Sequence, residues 1–269
     1  MQPSDLYRLG RKFQAMIVIG LGTGRSGTAS LAKLLNAQRD ALFFHEMNPA
    51  AVRFSGTPRP FINSLDEFQA ILDGGDPSML TVDLSRAVVA QAYDELCQMS
   101  KVRLIGDVAF YYLSYVELIA AHNRNVRFIC LRRDREQTIR SWLRKTATER
   151  WRSKRIADRL SSMITRTPYY PEGINPWMEH RGDCWQRDAL WDKCFPKFAA
   201  MTKYDAVAQY WDFYYHKAHE LANTLGETFR IIDTEKLDDY RFQRELLEYC
   251  GVPPSEQIHT DAHIHRSSA

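Results

Sequence analysis

The stretch that most narrows what this chain can fold into is Ala15 to Asn36, AMIVIGLGTGRSGTASLAKLLN. Met16, Ile17, Val18 and Ile19 have the β-branched content of a strand buried on both faces. Gly20, Gly22, Gly24 and Gly27 follow at once. Leu31, Leu34 and Leu35 then recur at the i, i+3, i+4 spacing of a helix that begins near Gly27 or Thr28. The order is strand, glycine loop, helix. Such a loop aims several unpaired backbone N–H groups at one point, which suits a phosphate or sulfate group. Four glycines beside Arg25 and Ser26 cost backbone entropy without any packing gain, which argues against a turn that binds nothing.

What the loop lacks narrows the anion. Aligned on G-x-x-x-x-G-K-[ST], Gly22 and Gly27 fit, but Thr28 replaces the Lys and Ala29 replaces the Mg²⁺-binding hydroxyl. What remains is Gly24-Arg25-Ser26-Gly27-Thr28, a cation inside the loop with hydroxyls on either side of Gly27. That set suits a single terminal anionic group handled without a metal.

A second informative stretch is Val126 to Leu143, VRFICLRRDREQTIRSWL. Phe128 to Leu131 read as a buried strand closed by Arg133, and Asp134 is placed to cap a helix carrying Thr138, Ser141 and Trp142. Ser141 follows Arg133 by eight residues, about two helical turns, so a chain turning back across the sheet edge can bring both to one oxyanion. Between Arg132 and Arg159 stand eleven Lys or Arg against four Asp or Glu. Most of these read as a solvated helix face, with Arg140, Arg144, Arg152 and Arg155 as candidates to supplement the phosphate site or meet an anionic acceptor.

The remaining elements follow an alternating α/β order. Ala41 to His45 reads as a strand ending in His45-Glu46, which places both side chains at the sheet edge where ligands gather. Leu65 to Leu72 is amphipathic, Leu80 to Asp83 reads as a short strand, and Ala87 to Met99 as a helix. Val102 to Asp107 reads as a core strand and Tyr111 to Ala121 as a helix. Trp151 to Met201, rich in aromatics and prolines, reads as an inserted lid or substrate-shaping segment, with simple packing or a dimer surface fitting the same residues equally well. Tyr204 to Leu225 is a long helix whose Tyr210, Tyr214 and Tyr215 read as core, followed by a strand at Phe229 to Asp233 and a helix at Arg241 to Cys250. His259, His263 and His265 make only a weak metal tract, and a flexible end fits them better.

The chain length of 269 residues suits one α/β domain, residues 1–269, with a decorated edge at about 151–201. The net charge of +3 does not suggest a nucleic-acid binder. No apolar run approaches the ~20 residues of a membrane span, and Met1 to Gln14 lacks a signal peptide's apolar segment, so the cytoplasm is expected. Cys97, Cys130, Cys184, Cys194 and Cys250 are scattered without C-x-x-C spacing, which fits reduced thiols, with a Cys184 to Cys194 bridge left open.

The glycine loop and the strand-Arg, helix-Ser pair together resemble the sulfotransferase superfamily. Its 5′-phosphosulfate loop often reads G-x-x-R-S-G-T, as Gly22-Thr23-Gly24-Arg25-Ser26-Gly27-Thr28 does here, and its 3′-phosphate motif matches Arg133 and Ser141. The resemblance implies a three-layer α/β/α fold with a mostly parallel sheet, of the P-loop-like sulfotransferase type. It implies 3′-phosphoadenosine 5′-phosphosulfate as donor, a hydroxyl acceptor on a small molecule, glycan or lipid, and no metal. Gly24, Arg25, Ser26, Gly27, Thr28 and Ala29 would then hold the phosphosulfate, and Arg133 and Ser141 the 3′-phosphate. Several members place a Glu about twenty residues beyond the loop Arg as general base, and Glu46 matches, with His45 as the reserve. Many relatives carry a Lys where this chain has Gly106-Asp107-Val108, which leaves Arg25 and the loop amides to neutralise transition-state charge.

Two other functions compete with sulfuryl transfer. A P-loop nucleotide kinase has the absent Lys and Ser/Thr pair against it. A non-catalytic module would bind the desulfated 3′,5′-bisphosphate without turnover.

Overall fold

In a computed structural model of the chain, residues 15–49, 57–146, 198 and 202–261 are described. The apolar run ahead of the glycines forms β1 (Met16–Leu21), and all six of its residues are buried. A strand without a polar face has to lie inside a sheet covered on both sides, and β1 takes the middle place. It is flanked by β2 (Ala41–His45), β3 (Leu104–Val108), β4 (Val126–Arg132) and β5 (Phe229–Asp233). The order is β2-β3-β1-β4-β5 and every pairing is parallel, as the expected fold class requires.

Helices cover both faces. They are α1 (Thr28–Asn36), α2 (Arg59–Leu72), α3 (Ala87–Gln98), α4 (Val116–His122), α5 (Arg135–Thr146), α6 (Lys203–Leu225) and α7 (Tyr240–Tyr249). Alternate β1 residues face opposite ways, so Met16 and Val18 pack with Leu31, Leu34 and Leu35 of α1 and Leu246 and Leu247 of α7. Ile17, Ile19 and Leu21 pack in a second core with residues of α2 to α6, among them Phe61, Phe68, Ile139, Tyr210 and Tyr214. The result is three layers, helix on sheet on helix. Because the chain passes from β1 to β2 on one side and later crosses to β4 on the other, the loop after β1 opens where the strand order reverses, the usual place for a ligand in such sheets.

Several boundaries differ from the sequence reading for identifiable reasons. Leu80 to Asp83 is not a strand: the Thr81 N–H and hydroxyl both donate to Glu67 at 2.9 Å, and the Asp83 N–H donates to the Met47 carbonyl. A side chain and a loop carbonyl, not a neighbouring strand, take up that backbone. The helix expected at Tyr111 starts as a 3₁₀ turn, Phe110–Tyr115, and becomes α-helical only at α4, where Tyr111 and Tyr112 have bent back to Asp107. α2 opens earlier than its amphipathic core, because Pro60 falls in the first turn where a missing N–H is harmless. Asp134 caps α5 as expected, accepting the Gln137 N–H at 2.9 Å.

Met1 to Gln14, Arg152, Arg155, Cys184, Cys194, His263 and His265 lie outside the described residues, as does the 151–201 segment except Phe198. Cys97, Cys130 and Cys250 are free thiols. No helix among the described residues is long and apolar enough to cross a membrane.

Candidate active site

The glycine loop is held from three directions. Gly24 and Gly27 have φ of +71° and +90°, backbone that side chains with a Cβ rarely adopt. Each also has a close neighbour: a Cβ on Gly24 would lie 2.8 Å from the Trp142 ring, and one on Gly27 would meet the Thr234 methyl. Thr234, just past β5, donates its hydroxyl to the Ser26 carbonyl at 2.6 Å. From α6, the Tyr214 hydroxyl accepts the Gly22 N–H at 3.0 Å and donates to the Phe110 carbonyl at 3.2 Å. Tyr210 donates to the Thr23 carbonyl at 3.3 Å. With so many of its groups fixed, the loop keeps one conspicuous exception. The Ser26 hydroxyl is buried and has no hydrogen-bond partner. A buried orphan hydroxyl calls for an explanation, and inside a glycine loop at a helix N-terminus a bound anion supplies one.

At the α5 side of the loop the two sequence motifs become one site. Arg25, itself left-handed at φ +58°, donates its Nε to the Ser141 hydroxyl at 3.1 Å. Arg133, one residue past β4, donates to the Arg25 carbonyl at 3.2 Å and to Gln137 Oε1 at 3.3 Å. Partial burial, then the neighbouring charges of Arg133 and Arg144, hold the Arg25 guanidinium below its ordinary pKa. Arg133, Gln137, Arg140, Leu143 and Arg144 line an open pocket of about 470 Å³ beside it.

At the other side of the loop stands the β2 end. His45 Nε2 is 3.0 Å from the Thr28 hydroxyl, so this histidine is bonded to the loop and not to its own turn. Glu46 has φ +56°, and its carboxylate pairs with Arg86 at 3.2 Å while staying 26% exposed. Left-handed backbone costs a non-glycine residue of order 1–3 kcal/mol and gathers at functional sites. Arg25 and Glu46 are two of the three such residues described.

The Glu46 N–H donates to the Val108 carbonyl at 3.2 Å, and the next N–H of the turn, that of Met47, is taken by Asp107. This carboxylate is fully buried and accepts the Met47 N–H at 3.2 Å, the Tyr111 hydroxyl at 2.7 Å and the Tyr112 hydroxyl at 2.9 Å. Burial pushes its pKa up, against the pull of these hydrogen bonds and of His45. The residue standing where the resemblance leads one to look for a Lys is therefore an anchor for the His45-Glu46-Met47 turn. Ala29, in the first turn of α1, has only its backbone to offer an anion.

The structure thus joins Arg25, Arg133 and Ser141 on one side and Thr28 and His45 on the other, with Ser26 between them in sequence. Four contributors were not singled out from the sequence: Arg86, Thr234, and the hydroxyls of Tyr210 and Tyr214. The two tyrosines are core, as their spacing indicates. Their signal was chemical, since tyrosines filling leucine-like positions must find partners for their hydroxyls.

Among the described residues no three His, Cys, Asp or Glu gather as a metal site would require. A sulfotransferase from Alicyclobacillus acidocaldarius superposes with a TM-score of 0.45 at 15% identity, covering 93% of this chain and 86% of that one. The sulfotransferase domain from the curacin biosynthetic pathway does so with a TM-score of 0.42, also at 15% identity, over 95% and 82%. No curated protein matches the chain. The model of the sulfotransferase family matches residues 17–190, more than half of the chain and a span that includes both motifs. The chain belongs to the sulfotransferase family.

Proposed function

We propose that the protein moves a sulfuryl group from 3′-phosphoadenosine 5′-phosphosulfate to a hydroxyl acceptor. The observation that supports this reading is the Arg25 to Ser141 hydrogen bond of 3.1 Å, which brings the glycine loop and the Arg133-Ser141 motif together as one anion site would require. A donor with phosphate groups on the 3′ and 5′ oxygens of one ribose needs two such motifs side by side. The residues fit it: the loop amides and the orphaned Ser26 hydroxyl for the phosphosulfate, Arg133 and Ser141 for the 3′-phosphate. Arg25 reaches from one to the other, so its charge serves both ends.

The donor supplies the sulfuryl group and leaves as the 3′,5′-bisphosphate. The chain's task is to orient it and to remove one proton from the acceptor. Glu46 is the base in this reading. Its Oε2 is held by Arg86, its Oε1 has no partner among the described residues, and the strained turn anchored by Asp107 fixes its approach. The acceptor oxygen bonds to sulfur as its proton passes to Glu46 and the sulfur–phosphate oxygen bond breaks. His45, bonded to Thr28, keeps the loop and the base-bearing turn in register.

The test is transfer of labelled sulfate from the donor to a panel of phenols, sugars and lipid alcohols. Label should appear in at least one acceptor class. A protein that binds the bisphosphate tightly yet labels none would be a binding module instead.

A further inference from the structure

Five arginines lie between Arg132 and Arg144, and the structure sorts them. Arg132 meets Asp233 at 2.7 Å, Arg135 makes two bonds to Asp212 at 2.8 Å, and Arg140 meets Glu136 at 2.7 Å. Glu136 is itself fixed by the Tyr204 hydroxyl at 2.6 Å. Arg133 and Arg144 have no carboxylate partner among the described residues, and neither has Arg25. These unmatched cations stand together. Arg133 touches the Arg25 carbonyl, and Arg144 is near enough for its charge to bear on Arg25. Like charges held side by side without a counter-charge repel, so the arrangement is favourable only when an anion occupies it. A phosphate, with several acceptor oxygens, matches the guanidinium fork.

We infer that Arg144 is a third cation for the donor's 3′-phosphate, beside Arg133 and Arg25, and that it sets the preference for a 3′-phosphorylated nucleotide. This rests on the donor reading above. Arg144 follows Ser141 by three residues on α5, so the two lie on one face, and Arg144 lines the pocket that Arg133 also lines. It differs from Arg133 in one respect that matters for a test. Arg133 supports the loop through the Arg25 carbonyl, whereas Arg144 is exposed and makes no hydrogen bond among the described residues. Replacing Arg144 therefore breaks no hydrogen bond among the described residues.

The experiment is calorimetric titration of the wild type, Arg144→Ala and Arg140→Ala with adenosine 3′,5′-bisphosphate and with adenosine 5′-monophosphate. Arg144→Ala should bind the bisphosphate about tenfold more weakly, the size of one charge-assisted contact, and the monophosphate as before. Arg140→Ala should change neither, because Glu136 already neutralises that residue. No loss in Arg144→Ala, equal loss for both nucleotides, or an equal loss in Arg140→Ala overturns the role of Arg144 and leaves the donor reading intact. A wild type that binds neither nucleotide overturns both.

Discussion

The two sides of the glycine loop are built on opposite electrostatic plans. On the α5 side Arg25, Arg133 and Arg144 gather with no carboxylate among the described residues to match them, and hydrogen bonds reach only a hydroxyl, an amide and a carbonyl. On the β2 side the two acids both find partners among the described residues. Glu46 pairs with Arg86, and Asp107 is surrounded by two tyrosine hydroxyls and a backbone N–H. The first side leaves its cations unmatched among the described residues, as a site for an anion would. The second leaves one Glu46 oxygen without a partner among the described residues, which in the proposed reaction would suit a neutral hydroxyl that must lose a proton. The contrast teaches that, in the proposed reaction, donor affinity and proton removal would be lodged in separate residues and should be separable by substitution.

The largest effect should come from Glu46→Gln. It keeps the shape of the side chain but cannot take a proton, so single-turnover sulfation should fall by about 10²- to 10⁴-fold while bisphosphate affinity stays unchanged. A variant that loses nucleotide binding as well would erase the distinction between the two sides. Because the Arg86 pair is also weakened, Arg86→Ala belongs in the same series, and it should slow transfer far less than Glu46→Gln.

Next in size is Arg133→Ala. Loss of a charge-assisted bond should weaken bisphosphate binding roughly tenfold to a hundredfold. The monophosphate should also lose some affinity, by a smaller factor, since the Arg25 carbonyl loses its support. Equal affinity losses, measured by titration, would mean that Arg133 acts only through the loop.

Tyr214→Phe should act on the scaffold behind the loop. It deletes the buried acceptor for the Gly22 N–H and the donor to the part-buried Phe110 carbonyl, and should lower unfolding stability by about 1–3 kcal/mol in a urea titration. A loss confined to nucleotide affinity, with unchanged stability, would relocate Tyr214 from scaffold to ligand site. The smallest expected effect is that of EDTA, which should leave bisphosphate binding where it was, because the loop replaces the metal-binding hydroxyl with Ala29 and supplies its charge from Arg25. Loss of binding on chelation would restore a metal to the α5 side.

The sequence by itself determined the local elements and their order. β1, the glycine loop and α1 are written in a run of apolar residues, glycines and leucines whose periods differ, and such periods survive without tertiary context. The motif spacings also pointed to Arg25, Arg133, Ser141, His45 and Glu46 before any contact was known. Only the tertiary structure decided which of these meet. That Arg25 turns to Ser141 depends on a left-handed backbone and on α5 packing across the sheet edge, over 116 positions of chain. That Asp107 is an anchor and not a surface acid depends on two tyrosines in a 3₁₀ turn and on the Met47 N–H, sixty residues away. Which arginines are neutralised was equally illegible, since Asp212 and Asp233 reach Arg135 and Arg132 from α6 and β5. Local propensity is set by neighbours in the chain, but the pairing of charges and of buried hydroxyls is set by neighbours in space, and these exist only once the helices have closed over the sheet.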